Sequence, residues 1–478
     1  MSSTAPAAGQ ALGGTSESLP VAVIGAGPIG LATAAHLTTR GLPFVVLEVG
    51  DQSASSIADW AHVRLFSPWR FNTDAAARSL LEAAAWTAPD PDHLPTGGEL
   101  IDDYLAPLAA HPAIAPRLRL GVRATAIARQ GYDKVRTAGR DHAPFVLRLS
   151  DGTELLASSV IDAAGTWRSP NPLGGNGLAA YGEAEARQAG RVFDGMPDVL
   201  GALRAQFAGK TVAVAGAGHS ATGTLLALAE LAEREPGTDV AWIVRAQSPN
   251  RAFGGEEADA LPARGALGKR ARALVQSGRV AVHTGFLIHE ITDEAIISAD
   301  GTKVAAEVIV NATGARPDFS YTSELRLDLD PVLGSTRALA PLIDPNHHSC
   351  GTVPPHGVDE LAHPETGYYA VGAKSYGRAP TFLLATGYEQ VRSVVAALAG
   401  DGEAARDVQL ELPQTGVCSS SLAYGNAAEA DGGCCGPSPT VIPTRDIKRG
   451  LATVAGDGLL SVPPVEAQAS DKAGTCRG

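Results

Sequence analysis

Cysteine is scarce in this chain and unevenly placed: there are five in 478 residues, and Cys418, Cys434, Cys435 and Cys476 all stand beyond position 410. An odd number scattered in this way does not make a disulfide framework, so a reducing, cytoplasmic setting is expected. Basic charge is short as well. A net charge of −13 excludes nucleic acid as a partner, because a phosphate backbone demands a basic surface. No stretch offers the ~20 uninterrupted apolar residues of a membrane span. Residues 1–18 lack the basic and apolar regions of a secretory signal and read as a flexible lead-in. Aromatic residues make up only 5%, yet 45% of the chain is hydrophobic, enough for real cores. At roughly 150 residues per domain the length predicts two or three domains.

What the chain does have is glycine in a pattern. Val21 to Ile24 form a buried-strand run, followed by Gly25, Gly27 and Gly30 in the spacing G-x-G-x-x-G, with Pro28 between them, and then by a helical apolar pattern that stops at Gly41. Gly25 would make the tight turn, Gly27 would let a pyrophosphate approach the backbone, and Gly30 would let helix and strand pack closely. The helix N-terminus then offers free N–H groups to phosphate. A second strand, Phe44 to Leu47, ends on Glu48, at the distance where an acid holds a ribose hydroxyl.

The pattern returns after the strand Thr211 to Ala215, with Gly216, Gly218 and Ala221 as G-x-G-x-x-A and Ser220 before the last position. Its second strand ends on Arg245, a cation that suits the 2′-phosphate of NADP, where a carboxylate would repel it. Two such turns predict two dinucleotides, FAD in the first and NADPH in the second. The strands Val160 to Asp162 and Val308 to Asn311 each end in a small-residue turn, at Ala164-Gly165 and Thr313-Gly314. Such turns mark a close backbone approach.

Taken together, these motifs resemble two-dinucleotide-binding flavoproteins over about residues 20–400. The resemblance implies an α/β fold: a Rossmann-like FAD-binding domain with a Rossmann-like NADPH-binding domain inserted into it. The expected division is 19–200 for the first part of the FAD domain, 201–320 for the NADPH domain, 321–400 for the returning part, and 401–478 for a tail. By the same resemblance Val122, the Ala164-Gly165 turn and Gly372 contact FAD. The acid that usually follows that glycine is replaced here by Ala373-Lys374.

The chain is similar to flavin-containing monooxygenases in particular. Only half of their fingerprint stands before the second turn: Phe193, Asp194 and Gly195 begin it, but Val199 holds its histidine position. No thiol pair of the disulfide-reductase kind lies between Glu48 and Pro116 or over 205–320. The aromatic and cationic stretch Trp60 to Arg70 is expected near the flavin ring, where Arg64 or Arg70 would stabilise negative charge. His219 reads as a capping or packing residue, and His347-His348-Ser349-Cys350 has no partners at metal-ligand spacing. No residue is singled out as a catalytic acid, base or nucleophile.

Beyond Gly400 the composition turns to Gly, Ser, Pro, Ala and Asp, which predicts a largely disordered tail. Cys434 and Cys435 are adjacent, and trans Cα atoms ~3.8 Å apart fit a disulfide poorly. With Cys418 they make three soft ligands, the set a trivalent arsenic or antimony centre prefers. The combination resembles flavoproteins of bacterial arsenic-resistance clusters. That resemblance implies an FAD-dependent NADPH oxidoreductase, monooxygenase-like, acting on a small soft nucleophile such as a trivalent arsenical. The alternatives are an NADPH-dependent reductase of a tail dithiol or quinone-like acceptor, and a non-enzymatic metalloid-binding flavoprotein. No membrane partner is expected, and the reading is compatible with a homodimer.

Overall fold

The computed structural model describes residues 19–254, 261–348 and 353–410. The N-terminal lead-in, Cys350 and the tail with Cys418, Cys434 and Cys435 lie outside the described residues. Among the described residues no helix is long and apolar enough to cross a membrane.

The chain opens with β1 (Val21–Ile24), helix α1 (Pro28–Thr39) and β2 (Phe44–Leu47). Helix α2 (Ala75–Ala83) and β3 (Leu118–Arg119) follow. An antiparallel group, β4 (Ala124–Arg129), β5 (Phe145–Leu149) and β6 (Glu154–Ala157), precedes β7 (Ser159–Asp162). The chain then runs through β8 (Val192–Asp194), β9 (Thr211–Ala215), α3 (His219–Arg234), β10 (Asp239–Ile243), α4 (Pro262–Gln276) and β11 (Ala281–His283). A second antiparallel group, β12 (Ile288–Ile291), β13 (Ala295–Ser298) and β14 (Lys303–Ala305), leads to β15 (Val308–Asn311). Then come β16 (Tyr368–Ala370) and α5 (Leu384–Leu398). Residues 401–410, expected as the start of a flexible tail, instead carry a short helix, Gly402–Arg406, held to α5 by Ser393 Oγ donating to the Ala405 carbonyl at 2.6 Å.

Two five-stranded sheets result, in the orders β16-β7-β1-β2-β3 and β11-β10-β9-β15-β8, and every pairing in both is parallel. The chain leaves the first sheet after β7, builds the second, and returns with β16 beside β7. Residues 192–194, expected with the first part, pair instead with β15 of the second sheet.

Each parallel sheet is covered on both faces, which is why its strands read as unbroken apolar runs. In β1, Val21 and Val23 enter a core with α1, α2 and α5, while Ala22 and Ile24 enter another with the β4–β6 group. The second sheet repeats the arrangement. Val212 and Val214 of β9 meet α3 and α4, whereas Ala213 and Ala215 meet the β12–β14 group. Fully buried, each aliphatic side chain contributes roughly 1.5–3 kcal/mol, so strands of four or five residues suffice.

A buried ionic staple closes the first half. Glu365, just ahead of β16, accepts from Arg129 Nε at 2.7 Å, Arg140 Nη2 at 2.8 Å and the Arg326 amide at 2.9 Å. Burial alone would raise the Glu365 carboxyl, but the two guanidiniums and the amide bring it below its ordinary value.

Candidate active site

The two glycine-rich turns are built alike, and the geometry separates the roles of their glycines. Gly25 has φ +96° and Gly216 φ +131°, a region where side chains are strained. A Cβ on Gly25 would stand 2.7 Å from the Ala163 carbonyl oxygen, and one on Gly216 would stand 2.2 Å from that of Ala312. These two glycines let the turn lie against the end of the neighbouring strand. Gly27 and Gly218 differ, since a Cβ there would meet nothing within 4 Å. No protein atom forbids a side chain at either position, so their bareness suits the approach of something else. Both are N-cap residues without a side-chain cap, and neither α1 nor α3 has an acid in its first turn. Neither N-cap thus supplies a side-chain cap and no acid competes in the first turn, an arrangement that suits phosphate.

One cleft of ≈ 990 Å³ runs from the first turn to the N-terminal half of α3 and one face of α4. Of the residues expected from sequence, Gly25, Gly27, Pro28, Glu48, Val122, Ala164, Gly165, Ser220 and Gly372 line it. Gly30, Gly216, Gly218, Ala221, Arg245, Thr313 and Gly314 do not. Gly30 is a packing position, where a Cβ would stand 1.9 Å from the Gly25 carbonyl oxygen. Arg245 is exposed just beyond β10. Thr313 and Gly314 form the turn after β15, and the Thr313 carbonyl accepts from Asn171 Nδ2 at 3.0 Å.

Glu48 does more than its position suggested. One oxygen accepts from the Ala26 amide at 2.7 Å, and the other accepts from the Gly50 amide at 2.8 Å and Ser55 Oγ at 2.9 Å. A carboxylate has about four lone-pair sites. Three hold the turn in shape, which leaves one for a hydroxyl in the cleft. These features fit a dinucleotide: uncapped helix ends, bare glycines facing open space, and an acid with one acceptor site to spare.

The stretch Trp60 to Arg70 divides. Trp60 and His62 through Ser67 line the cleft. Arg64 donates to the Leu94 carbonyl and stands 3.7 Å from Glu99, while Arg70 pairs with Asp92 and does not line the cleft. The expectation of a free Arg70 beside the flavin is therefore corrected. His219 lines the cleft with its ring centroid 5.0 Å from that of Phe66, a packing contact across the two halves.

The incomplete monooxygenase fingerprint also gains a physical reading. Gly195 (φ +74°) makes room for Trp167, whose ring would lie 2.5 Å from a Cβ there. Val199, at the histidine position, is buried in the core of the second sheet. Among the described residues no group of three or more His, Cys, Asp or Glu side chains could hold a metal.

Sequence reasoning missed the partner of Lys374. Its Nζ donates to Asp162 at 2.7 Å, and both residues are buried to within 1%. The pair joins β7 to the turn after β16. No short-range spacing could have shown it, because the two residues are far apart in the chain. The signal available was the unusual acid ending a buried strand.

Residues 22–333 match the pyridine nucleotide-disulphide oxidoreductase family. The indole-3-pyruvate monooxygenase YUCCA1 of Oryza sativa subsp. japonica is 31% identical over 205 residues, 41% of this chain and 42% of that one. The chain thus matches less than half the length of this curated relative. Among solved structures, bacillithiol disulfide reductase from Bacillus cereus superposes with a TM-score of 0.58 at 17% identity, over 80% of this chain and 99% of that one. The cadaverine monooxygenase DfoA from Erwinia amylovora gives 0.55 at 15%, over 83% and 96%. Those two likenesses show a shared fold.

Proposed function

The chain belongs to the pyridine nucleotide-disulphide oxidoreductase family, a flavin-dependent oxidoreductase with FAD and NADPH as cofactors, and from that premise we propose that it is an NADPH-dependent monooxygenase. Gly25, Gly27 and Pro28 at the N-terminus of α1 would hold the FAD pyrophosphate. Glu48 gives its remaining acceptor site to the adenosine ribose, and Val122, Ala164, Gly165 and Gly372 flank the cofactor. NADPH lies along Gly216, Gly218, Ser220 and Ala221, near the Thr313-Gly314 turn. Arg245, exposed just beyond β10, would hold its 2′-phosphate. The FAD domain comprises 19–200 and 321–400 and the NADPH domain 201–320, with the edge strand β8 reaching back to 192.

When bound, the two cofactors supply hydride transfer and reaction with oxygen. The chain supplies orientation and exclusion of water. Trp60, Phe66, Trp167, Leu200, Leu267 and Phe382 make an apolar wall around the cleft, so charge there is only weakly screened by solvent. The observation that supports the monooxygenase reading is one of sequence: no cysteine precedes position 350, so the two glycine-rich turns and the described cleft walls built from residues before it lack a thiol pair. A bound flavin would therefore find no thiol pair in those walls. The substrate is a small soft nucleophile, and the Cys418, Cys434 and Cys435 set points to a trivalent arsenical in a reducing cytoplasm. Overall, NADPH, a proton, oxygen and the arsenical would give NADP⁺, water and the oxidised, oxygen-bearing arsenical.

The test is NADPH oxidation by the FAD-loaded full chain in air, with and without arsenite, while oxygen uptake and peroxide are followed. Arsenite-stimulated oxygen uptake without matching peroxide is the expected result. Turnover indifferent to arsenite and oxygen would overturn the reading. The adjacent Cys434 and Cys435 favour a second reading, a reductase whose flavin reduces that pair. Cys434→Ser with Cys435→Ser would then abolish acceptor reduction, whereas in the first reading NADPH turnover would persist and metalloid binding would be lost.

A further inference from the structure

At the floor of the cleft two turns meet. One follows β7 and carries Ala164 and Gly165. The other follows β16 and carries Gly372 and Ala373. Between and beneath them lies the buried cluster of Asp162, Lys374, Tyr321 and Tyr368. One Asp162 oxygen receives Lys374 Nζ at 2.7 Å, Tyr321 OH at 2.8 Å and Tyr368 OH at 2.8 Å. Its other oxygen accepts the Ala164 amide at 3.2 Å. Lys374 Nζ also donates to the Tyr321 hydroxyl and lies 4.7 Å from the Phe319 centroid and 4.4 Å from that of Tyr321.

Both tyrosines keep their protons, since burial and the Asp162 charge push their pKa values far above the ordinary range. The cluster therefore holds one negative and one positive charge. A buried ion pair is weak as a source of stability, because desolvation opposes the attraction. Well-packed apolar residues would join β7 to the return turn as firmly. What they would not provide is a cation, in contact with the cleft through Lys374 and Tyr321.

We propose that Asp162 and Lys374 are a positioning pair that fixes the charge balance at the bound flavin and so its reduction potential. This rests on FAD lying in the cleft as read above. The neighbouring charges are those of Asp318 and Arg123, which also line the cleft, and they are unchanged by the test. Charge near a flavin tunes its electronics: a cation favours the electron-rich reduced state and an anion opposes it.

The experiment compares Lys374→Met, Asp162→Asn and the double variant by FAD affinity, by midpoint potential from dye equilibration, and by melting of the apoprotein. Lys374→Met should move the potential negative and Asp162→Asn should move it positive. The double variant should return close to the parent, and Lys374→Arg should not move it. Equal-signed shifts, or none, would overturn the proposal even if melting temperatures fall, as a purely structural role predicts. Should the single variants not fold, Ala373→Asp serves in their place. It places a carboxylate at a half-buried cleft position and should move the potential negative; an unmoved potential would again overturn the proposal. Failure of the parent protein to bind FAD would defeat the underlying cofactor reading instead.

Discussion

At the third small position of the first turn, a Cβ on Gly30 would stand 1.9 Å from the Gly25 carbonyl oxygen, whereas the second turn carries Ala221 there, fully buried and accommodated. The turns differ in opening as well, with φ +96° at Gly25 and +131° at Gly216. Around the first turn lie buried charges, Glu48 and the Asp162–Lys374 pair, while the Glu365 staple holds the other end of β16. Around the second, Trp242 Nε1 donates to the Gly216 carbonyl at 2.7 Å and the nearby cation, Arg245, is exposed. One spacing has thus been furnished twice. The first is tight and internally pinned, as suits a resident cofactor. The second has room for a methyl at its third small position and an exposed cation beside it, as suits one that comes and goes.

The sharpest way to break this comparison is Gly30→Ala. The added methyl collides with backbone, so the purified variant should lose its FAD while still binding NADPH; full FAD content by absorbance would show that tightness does not divide the turns. Next in size is Glu365→Gln, which leaves two guanidiniums around an uncharged group. It should cost about 3–5 kcal/mol in denaturant unfolding, and a loss below about 1 kcal/mol would mean the staple is not what pins the return.

A pH series comes third. His363 accepts the Asp328 amide at Nδ1, and its buried Nε2 has no hydrogen-bond partner. Burial lowers its pKa from the ordinary 6.5 to about 4. Between those values the unfolded chain binds a proton that the folded chain refuses, so stability falls as pH falls from about 6.5 toward 4, by at most about 3 kcal/mol from this group. His363→Gln, which keeps an acceptor for the amide, should flatten that part of the stability curve. The smallest effect belongs to Arg245→Ala. It should raise the KM for NADPH about tenfold, roughly 1.4 kcal/mol, and leave that for NADH unchanged. Equal effects on both would remove Arg245 from the 2′-phosphate.

The glycine spacings and flanking strands were legible because each rests on local chemistry: a turn needing positive φ, a bare approach, a run of buried aliphatics. The roles of Glu48 and Lys374 were only half legible. Glu48 was placed correctly at its strand end, but its bonds to Ala26, Gly50 and Ser55 depend on how the loop folds back. Lys374 was visible as a departure, yet its meaning depends on Asp162, brought beside it only when β16 pairs with β7. Arg70 misled because a surface acid, Asp92, lay beyond any local pattern. The strand β8 was missed as part of the second sheet because an edge strand of three residues has almost no periodicity to read.

The pairing of β16 with β7 also orders events during synthesis. The second sheet draws on one continuous stretch, Val192 to Asn311, and can close as soon as that stretch has emerged from the ribosome. The first sheet cannot, because its last strand ends at Ala370 while its first begins at Val21. Until then β7 has an open edge, and half the floor of the cleft is missing. A nascent chain of this kind would assemble the half built on the second sheet first and complete the half built on the first sheet late, with the unpaired edge as its main exposure to misassembly.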